Sequence, residues 1–334
     1  MFRFANTVSQ EALSVISVPG WHWALLVAWF LFLIIFDIVV IHRKDHTPTL
    51  REATVQSLVW IGLGVGLGLL FWPLYGANAA GQYFSGYIIE KSLSIDNVFA
   101  WSVILGYFKI PKKYQHRVLF WGIFGALIMR VIFIFAGIAA IERFEPVLII
   151  FGVLLLYSGW KILAHSEEHE FDPAKSKILN FFQSVIPVTH KLDGHKLFTH
   201  VNGKRVATML FIALLAVEIT DVIFAVDSVP AILAISRDPF IVFSSNAAAI
   251  LGLRALYFVF DKIKDRFWLL NKALGLLLIG VGIKMVISPG EIFGYPWFGI
   301  HIPTGVSLAT IGIFITATVI ASLYITPPAS HKEG

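Results

Sequence analysis

The sequence predicts an all-α polytopic membrane protein of about nine transmembrane helices, six of them forming two inverted three-helix repeats at about 84–164 and 207–287. Three observations carry this expectation. At 57% hydrophobic and 14% charged over 334 residues, the chain is too apolar for a water-soluble globule. Its apolar residues come in runs of about 20, the length that crosses a bilayer. Two of those runs contain acids in matching order, although one carboxylate at a helix centre costs roughly 2.5 to 3.5 kcal/mol on insertion scales.

The first twenty residues are weakly amphipathic and lack the basic start and small-residue cleavage site of a signal peptide, so the first span, about 21–41, is expected to stay attached. Asp37 lies near its far end. The second span, about 55–75, carries Gly62, Gly64, Gly66 and Gly68, spaced for close helix packing. With residues 1–83 these two form an N-terminal unit. The third span, about 84–108, holds the polar insertion Glu90-Lys91-Ser92-Leu93-Ser94-Ile95-Asp96-Asn97. A fourth, about 118–140, has a central Arg130, and a fifth covers about 147–164.

Residues 165–206 read as a small soluble insert, acidic early and basic late. Asn202-Gly203 between short β-prone stretches predicts a hairpin turn. The histidines His165, His169, His190, His195 and His200 have no repeated spacing and read as surface residues. The sixth span, about 207–235, contains Glu218, Asp221 and Asp227. At about 100° per residue, Glu218 and Asp221 share a face while Asp227 lies about 120° from Asp221. One straight helix therefore aims them in different directions: either it stands centrally with partners on several sides, or it unwinds near Ala225 to Pro230. The seventh span, about 243–260, carries Arg254; the eighth covers about 269–287. Residues 288–334 supply the ninth span, about 305–325, uncharged and read as scaffold, and a short tail.

Orientation follows from the connections. Eighteen Lys and Arg fall on one side, and Arg3, Arg143 and Arg237 on the other. The positive-inside rule then places the N-terminus outside and the C-terminus in the cytoplasm. The formal charge of +5 is accounted for by these loops and calls for no nucleic-acid partner.

The two acidic stretches head related units. Glu90-x5-Asp96-Asn97-Val98-x-Ala100 aligns with Asp221-x5-Asp227-Ser228-Val229-x-Ala231. Downstream, Gly125 to Arg130 aligns with Ala249 to Arg254, and Gly152 with Gly159-Trp160-Lys161 aligns with Gly275 with Gly282-Ile283-Lys284. Three spans per unit, an odd number, invert the second relative to the first. The expected site is therefore one midplane cluster of Glu90, Asp96, Glu218, Asp221 and Asp227, supported by Asn97, Ser228 and Asn246. Arg130 and Arg254 are the expected countercharges. Lys91, turned about 100° from Glu90, is expected to face another element.

An inventory of carboxylate, amide and hydroxyl suits a hard divalent cation such as Mn²⁺, Mg²⁺ or Ca²⁺. No Cys is present, Met totals four and no His lies centrally in a span, which argues against a soft-metal site. There is no His-Glu-x-x-His zinc motif, no Gly-x-Ser-x-Gly elbow, no Walker loop and no signature of an organic cofactor, so no enzyme is expected. An intramembrane aspartyl protease is the strongest enzymatic rival, and a membrane metal sensor or assembly factor without flux is the other.

The segments Glu90-Lys-Ser-Leu-Ser-Ile-Asp96-Asn-Val-Phe and Glu218-Ile-Thr-Asp221-Val-Ile-Phe-Ala-Val-Asp227-Ser-Val-Pro closely resemble signature segments of the TerC family. The stretch from Ser244-Ser-Asn246 to Leu253-Arg254-Ala-Leu-Tyr-Phe resembles a third. The resemblance runs from about Asp37 to Ile325 and is nearest the Alx-like branch. It implies a bacterial inner-membrane exporter with Mn²⁺ as the transported ion, and its metal positions carry over to Glu90, Asp96, Glu218, Asp221 and Asp227.

Overall fold

The computed structural model describes residues 16–37, 48–144, 146–164, 186–189, 192–201, 203–263, 269–287, 290–292, 295–297 and 304–324. Nine helices account for most of them. Helix α1 spans Gly20–Phe36 and α2 spans Leu50–Tyr107, opened by a capping box in which Thr49 and Glu52 satisfy each other's backbone N–H groups. As a straight rod, α2 would reach about 87 Å. It instead folds back at Gly76, whose φ of 88° lies in the left-handed region open to glycine. The Tyr83 hydroxyl accordingly donates to the Gly64 carbonyl nineteen residues earlier, at 2.8 Å. The expected second and third spans are thus two antiparallel arms, 50–75 and 77–107, joined by one glycine where the sequence suggested a connection of about eight residues. Of the four glycines in the first arm, Gly64 and Gly68 admit the rings of Tyr87, Tyr83 and Phe84, whereas Gly62 and Gly66 face open space.

Helices α3 (Lys112–Arg143) and α4 (Val147–Ala164) complete the first half. Helix α5 (Met209–Leu233) stays helical through Pro230, so the unwinding considered at Ala225 to Pro230 does not occur. The break lies one span later. Helices α6 (Pro239–Ile250) and α7 (Leu253–Ile263) bend by 44° about Gly252, where φ is +82° and a Cβ would strike the Trp60 side chain. This corrects the expectation of one uniform span at 243–260. Helices α8 (Leu270–Ile287) and α9 (Thr304–Tyr324) follow. Among the described residues, α2 to α5 are each long and apolar enough to cross a membrane, and the bent α6–α7 pair makes a fifth candidate; α1 and α9 are apolar but shorter. This is an α-helical, multi-pass membrane protein.

The second arm of α2 and α5 run antiparallel, with Gly86 against Ile232 at one end and Trp101 beside Asp221 toward the other. Helix α3 runs parallel to α5, Gly122 meeting Val217 and Gly137 meeting Leu233. Surrounded by α2, α3 and α4, α5 stands centrally, the other arrangement the acid spacing allowed. The closest interface joins α4 and α8. There Gly152 lies against the Gly282 carbonyl and Gly159 against the Gly275 carbonyl, an antiparallel crossing with backbones in contact.

Two small sheets depart from an all-helical chain. Strands β1 (Val188–Thr189), β3 (Lys204–Thr208) and β2 (Phe198–Val201) form a three-stranded sheet in that order, and β3 leads directly into α5. Val201 pairs with Lys204, the register of the hairpin the sequence predicts here, with Gly203 at φ 75°; Asn202 lies outside the described residues. His165, His169 and His190 lie outside the described residues. A second hairpin, β4 (Gly290–Ile292) with β5 (Tyr295–Trp297), joins α8 to α9 and has no counterpart in the sequence reading.

In the first sheet, Thr199 Oγ1 and Lys196 Nζ donate to Asp193 at 2.6 and 3.0 Å, and the threonine bond above all holds this exposed carboxyl below its ordinary range. A depressed folded value means the contribution is present above the unfolded pKa of about 3.9 and lost as pH falls through the folded value. Asp193→Asn is therefore expected to speed amide exchange over 198–208 at neutral pH. Exchange followed during acid titration should show the gap from wild type closing below about pH 4; a gap that persists would assign the effect to something other than the charge.

Candidate metal centre

Helical spacing decides where the acids go. On the second arm of α2, Glu90, Ser94, Asn97 and Trp101 follow at i, i+4, i+7 and i+11 and share one face; on α5, Glu218, Asp221 and Ser228 share another. Asp96 and Asp227 each sit six residues past Glu90 and Asp221, about 120° around the helix, and are turned elsewhere.

Glu90 lies at the centre of the first group. It is 1% exposed and forms an ion pair with Arg130 of α3, itself 3% exposed. Asn246 of α6 donates from Nδ2 to Glu90 Oε2 at 3.1 Å and accepts from Arg130 Nη1 at 3.1 Å, while Ser94 donates to Glu90 Oε1 at 3.3 Å. Neither oxygen of buried Asp221 has a well-aligned hydrogen bond; the Trp101 indole N–H is the donor that bears on it, and Glu218, Arg130 and Glu90 act on it as charged neighbours. Glu218 rests its carboxylate against Gly125 of α3, where a Cβ would collide with it. Asn97 Oδ1 and Ser228 Oγ are likewise buried without a partner.

The second group joins Asp96 to Asp227, each within the other's field. Ser158 of α4 donates to Asp227 Oδ1 at 2.6 Å, and Lys161, one turn along α4, is the cation acting on it. Ser158 was not singled out in the sequence. The only signal was a hydroxyl beside a packing glycine, Ser158-Gly159, in an otherwise apolar span.

Two expectations need correction. Among the described residues no three acids are close enough to hold one ion, so the five do not form a single cluster in this conformation. They fall into two groups, because a six-residue separation turns them apart, and each group takes acids from both halves of the chain. Arg254 does not serve the acids either. It pairs with Asp37 at the end of α1, on the wall of a cleft of about 520 Å³ that Gln56, Trp60 and Phe124 also line. Asp37 therefore faces the bundle. Lys91 turns from Glu90 to the end of α6, donating to the carbonyls of Ala249 at 3.0 Å and Leu251 at 3.5 Å.

The chemistry on the facing stripes of α2 and α5 is lopsided. Buried acceptor oxygens on Asn97 and Asp221 lack a well-aligned donor, with only the Trp101 indole N–H bearing on Asp221, and burial without a full set of partners costs free energy unless something positive occupies the site. Carboxylate, amide and hydroxyl oxygens are the donor set of a hard cation, so the residues present fit one.

Residues 75–330 match the model of the "Integral membrane protein TerC family". The chain belongs to the TerC family. The match includes both acidic segments and the broken span, and it begins at the fold-back of α2. Relatives align over nearly the whole chain. A Myxococcus xanthus protein described as "Uncharacterized membrane protein STKORF319" is 39% identical over 94% of this chain and 95% of its own length. The "Putative membrane-bound redox modulator Alx" of Escherichia coli (strain K12) is 37% identical over 87% and 90%. An "Uncharacterized membrane protein" of Rickettsia bellii is 37% identical over 86% and 96%. No solved structure matches this TerC-family chain.

Proposed function

We propose that this TerC-family protein is a secondary transporter that exports Mn²⁺ from the cytoplasm by alternating access. The observation that carries the reading is Asp221, a buried carboxylate that no well-aligned donor meets and on which only the Trp101 indole N–H bears, beside the Asn97 and Ser228 oxygens, which likewise lack a partner. A divalent cation would supply the missing charge. Asp221 is the residue best placed to receive it, with Glu218 and Glu90 as its charged neighbours and Asn97 and Ser228 adding neutral oxygens, while Asp96 and Asp227 form a second station. Arg130 holds Glu90 in place until the ion arrives. The choice of Mn²⁺ among hard ions follows the family resemblance, not the ligand set.

Alternating access is supported by the antiparallel run of equivalent helices. Gly152 and Gly159 of α4 correspond to Gly275 and Gly282 of α8, and the observed contacts, Gly152 with Gly282 and Gly159 with Gly275, are exchanged into each other by a twofold operation. Inverted repeats have that property. The break between α6 and α7 provides a place for the bundle to change shape. The family resemblance supports a place in the bacterial inner membrane, and the charge bias of the loops supports an orientation with the N-terminus outside and the C-terminus in the cytoplasm.

Purified protein in vesicles should release or accumulate Mn²⁺ at a rate that protein-free vesicles do not show, and running the assay with and without a pH gradient tests proton coupling. Binding without flux would overturn export and leave a metal sensor or assembly factor. A second reading draws on Asp227 acting electrostatically on Asp96, since an intramembrane aspartyl protease needs paired aspartates; it requires activity to survive loss of Glu90 and Glu218. The redox wording of the Alx relatives finds no thiol here, since a chain without cysteine cannot carry out thiol–disulfide exchange.

A further inference from the structure

Helix α6 ends inside the bundle. Because Gly252 turns the chain away at φ +82°, the last carbonyls of α6 have no following turn to bond to, and they form the negative end of a half-helix. The Lys91 ammonium fills that position, bonding to the Ala249 and Leu251 carbonyls. One turn earlier on α6, Asn246 donates to Glu90. Two adjacent side chains of α2 therefore grip the last turns of α6: Glu90 through Asn246, and Lys91 through the helix end.

We infer that Lys91 is a positioning residue that reports cation occupancy at Glu90 to the break between α6 and α7. This inference rests on the transport reading above. A dication arriving at Glu90 competes with Arg130 and Asn246 for the carboxylate, which loosens the first grip. It also places two positive charges beside the Lys91 ammonium, whose own acidic neighbour is Glu90. Across the break stands Arg254, paired with Asp37, and on α3 stands Arg130, paired with Glu90; both are cations, so neither relieves the repulsion on Lys91. Repulsion then acts on the second grip, and the end of α6 is freed from α2. Occupancy of the site and release of the hinge become one event, which is what alternating access needs. No change in the protonation of Lys91 is involved.

The test uses the full chain in lipid nanodiscs and in vesicles, with Mn²⁺ as the probe. In wild type, Mn²⁺ should raise amide exchange over 247–256 by about threefold or more. Lys91→Met should show that raised exchange without Mn²⁺ and no further response, bind Mn²⁺ within about threefold of wild type, and lose flux by about tenfold. Lys91→Arg keeps the charge and the donors and should restore the Mn²⁺ response. The inference is overturned if Mn²⁺ leaves exchange at 247–256 unchanged in wild type, if Lys91→Met moves Mn²⁺ at the wild-type rate, or if its binding and flux fall together. Should Lys91→Met fail to fold, a Lys91→Arg variant whose exchange ignores Mn²⁺ overturns it equally. A wild-type protein that moves Mn²⁺ with an unresponsive hinge removes this inference alone. One that neither binds nor moves Mn²⁺ removes the transport reading with it.

Discussion

Arg130→Gln is expected to cost the protein a large part of its stability, and adding Glu90→Gln is expected to return most of it. The pair is almost fully enclosed, and Glu90 also accepts from Asn246 and Ser94. Removing one partner of a buried pair leaves an uncompensated charge in a low-dielectric interior, a loss of about 3–5 kcal/mol. Against a total stability of about 5–15 kcal/mol, that is a large share of the margin. The double variant removes both charges, and two glutamine amides can still exchange hydrogen bonds with Asn246, so most of the loss should be recovered. Transport should not be, because the charge at Glu90 is part of the proposed site. Thermal unfolding of detergent-purified protein, with monodispersity as a second readout, measures the effect. An Arg130→Gln protein that melts with wild type would mean that Glu90 is held by Asn246 and Ser94 alone.

The apolar runs and their lengths told where the helices lie, because in hydrocarbon every backbone group must be satisfied within the segment and a helix is the only local way to do so. The acids were legible for the same reason, since a carboxylate in an apolar run needs an explanation. Even their division into two groups was implicit in the six-residue separation, although the sequence reading gathered all five into one cluster. What stayed hidden were features whose cause lies between helices. A run buried on all sides carries little periodicity, so nothing along 243–260 distinguished Gly252 as a hinge from Gly66 as a bystander, and Pro230 drew attention because prolines break helices in general. Near its C-terminal end, Pro230 removes one bond from a helix that its neighbours hold regardless. The Asp37–Arg254 pair joins residues 217 apart and the Ser158–Asp227 bond residues 69 apart, and no local pattern encodes either choice.

Asp221→Asn is expected to make the protein more stable and unable to transport. Both carboxylate oxygens of Asp221 are buried without a well-aligned hydrogen bond, the Trp101 indole N–H being the donor that bears on them, beside the acids Glu218 and Glu90 and the single charge of Arg130, which Glu90 already engages. An amide of the same shape removes the negative charge from that setting and supplies an N–H that the neighbouring acceptors can use. Unsatisfied buried groups cost about 1–3 kcal/mol, and more when charged, so a gain of about 1–3 kcal/mol is expected. In a chain of this size that corresponds to a rise in melting temperature of about 2–10 °C. Residues kept for function at the expense of the fold show this opposition. Asp227→Asn is the control, because Asp227 accepts from Ser158 at 2.6 Å and has Lys161 for a cation. It should melt at or below the wild-type temperature, having given up a charge-assisted bond. Mn²⁺ flux in vesicles and thermal unfolding of the same preparations provide both readouts. If Asp221→Asn melts lower than wild type, some protein group satisfies the carboxylate; if it still transports, the ion does not need this charge.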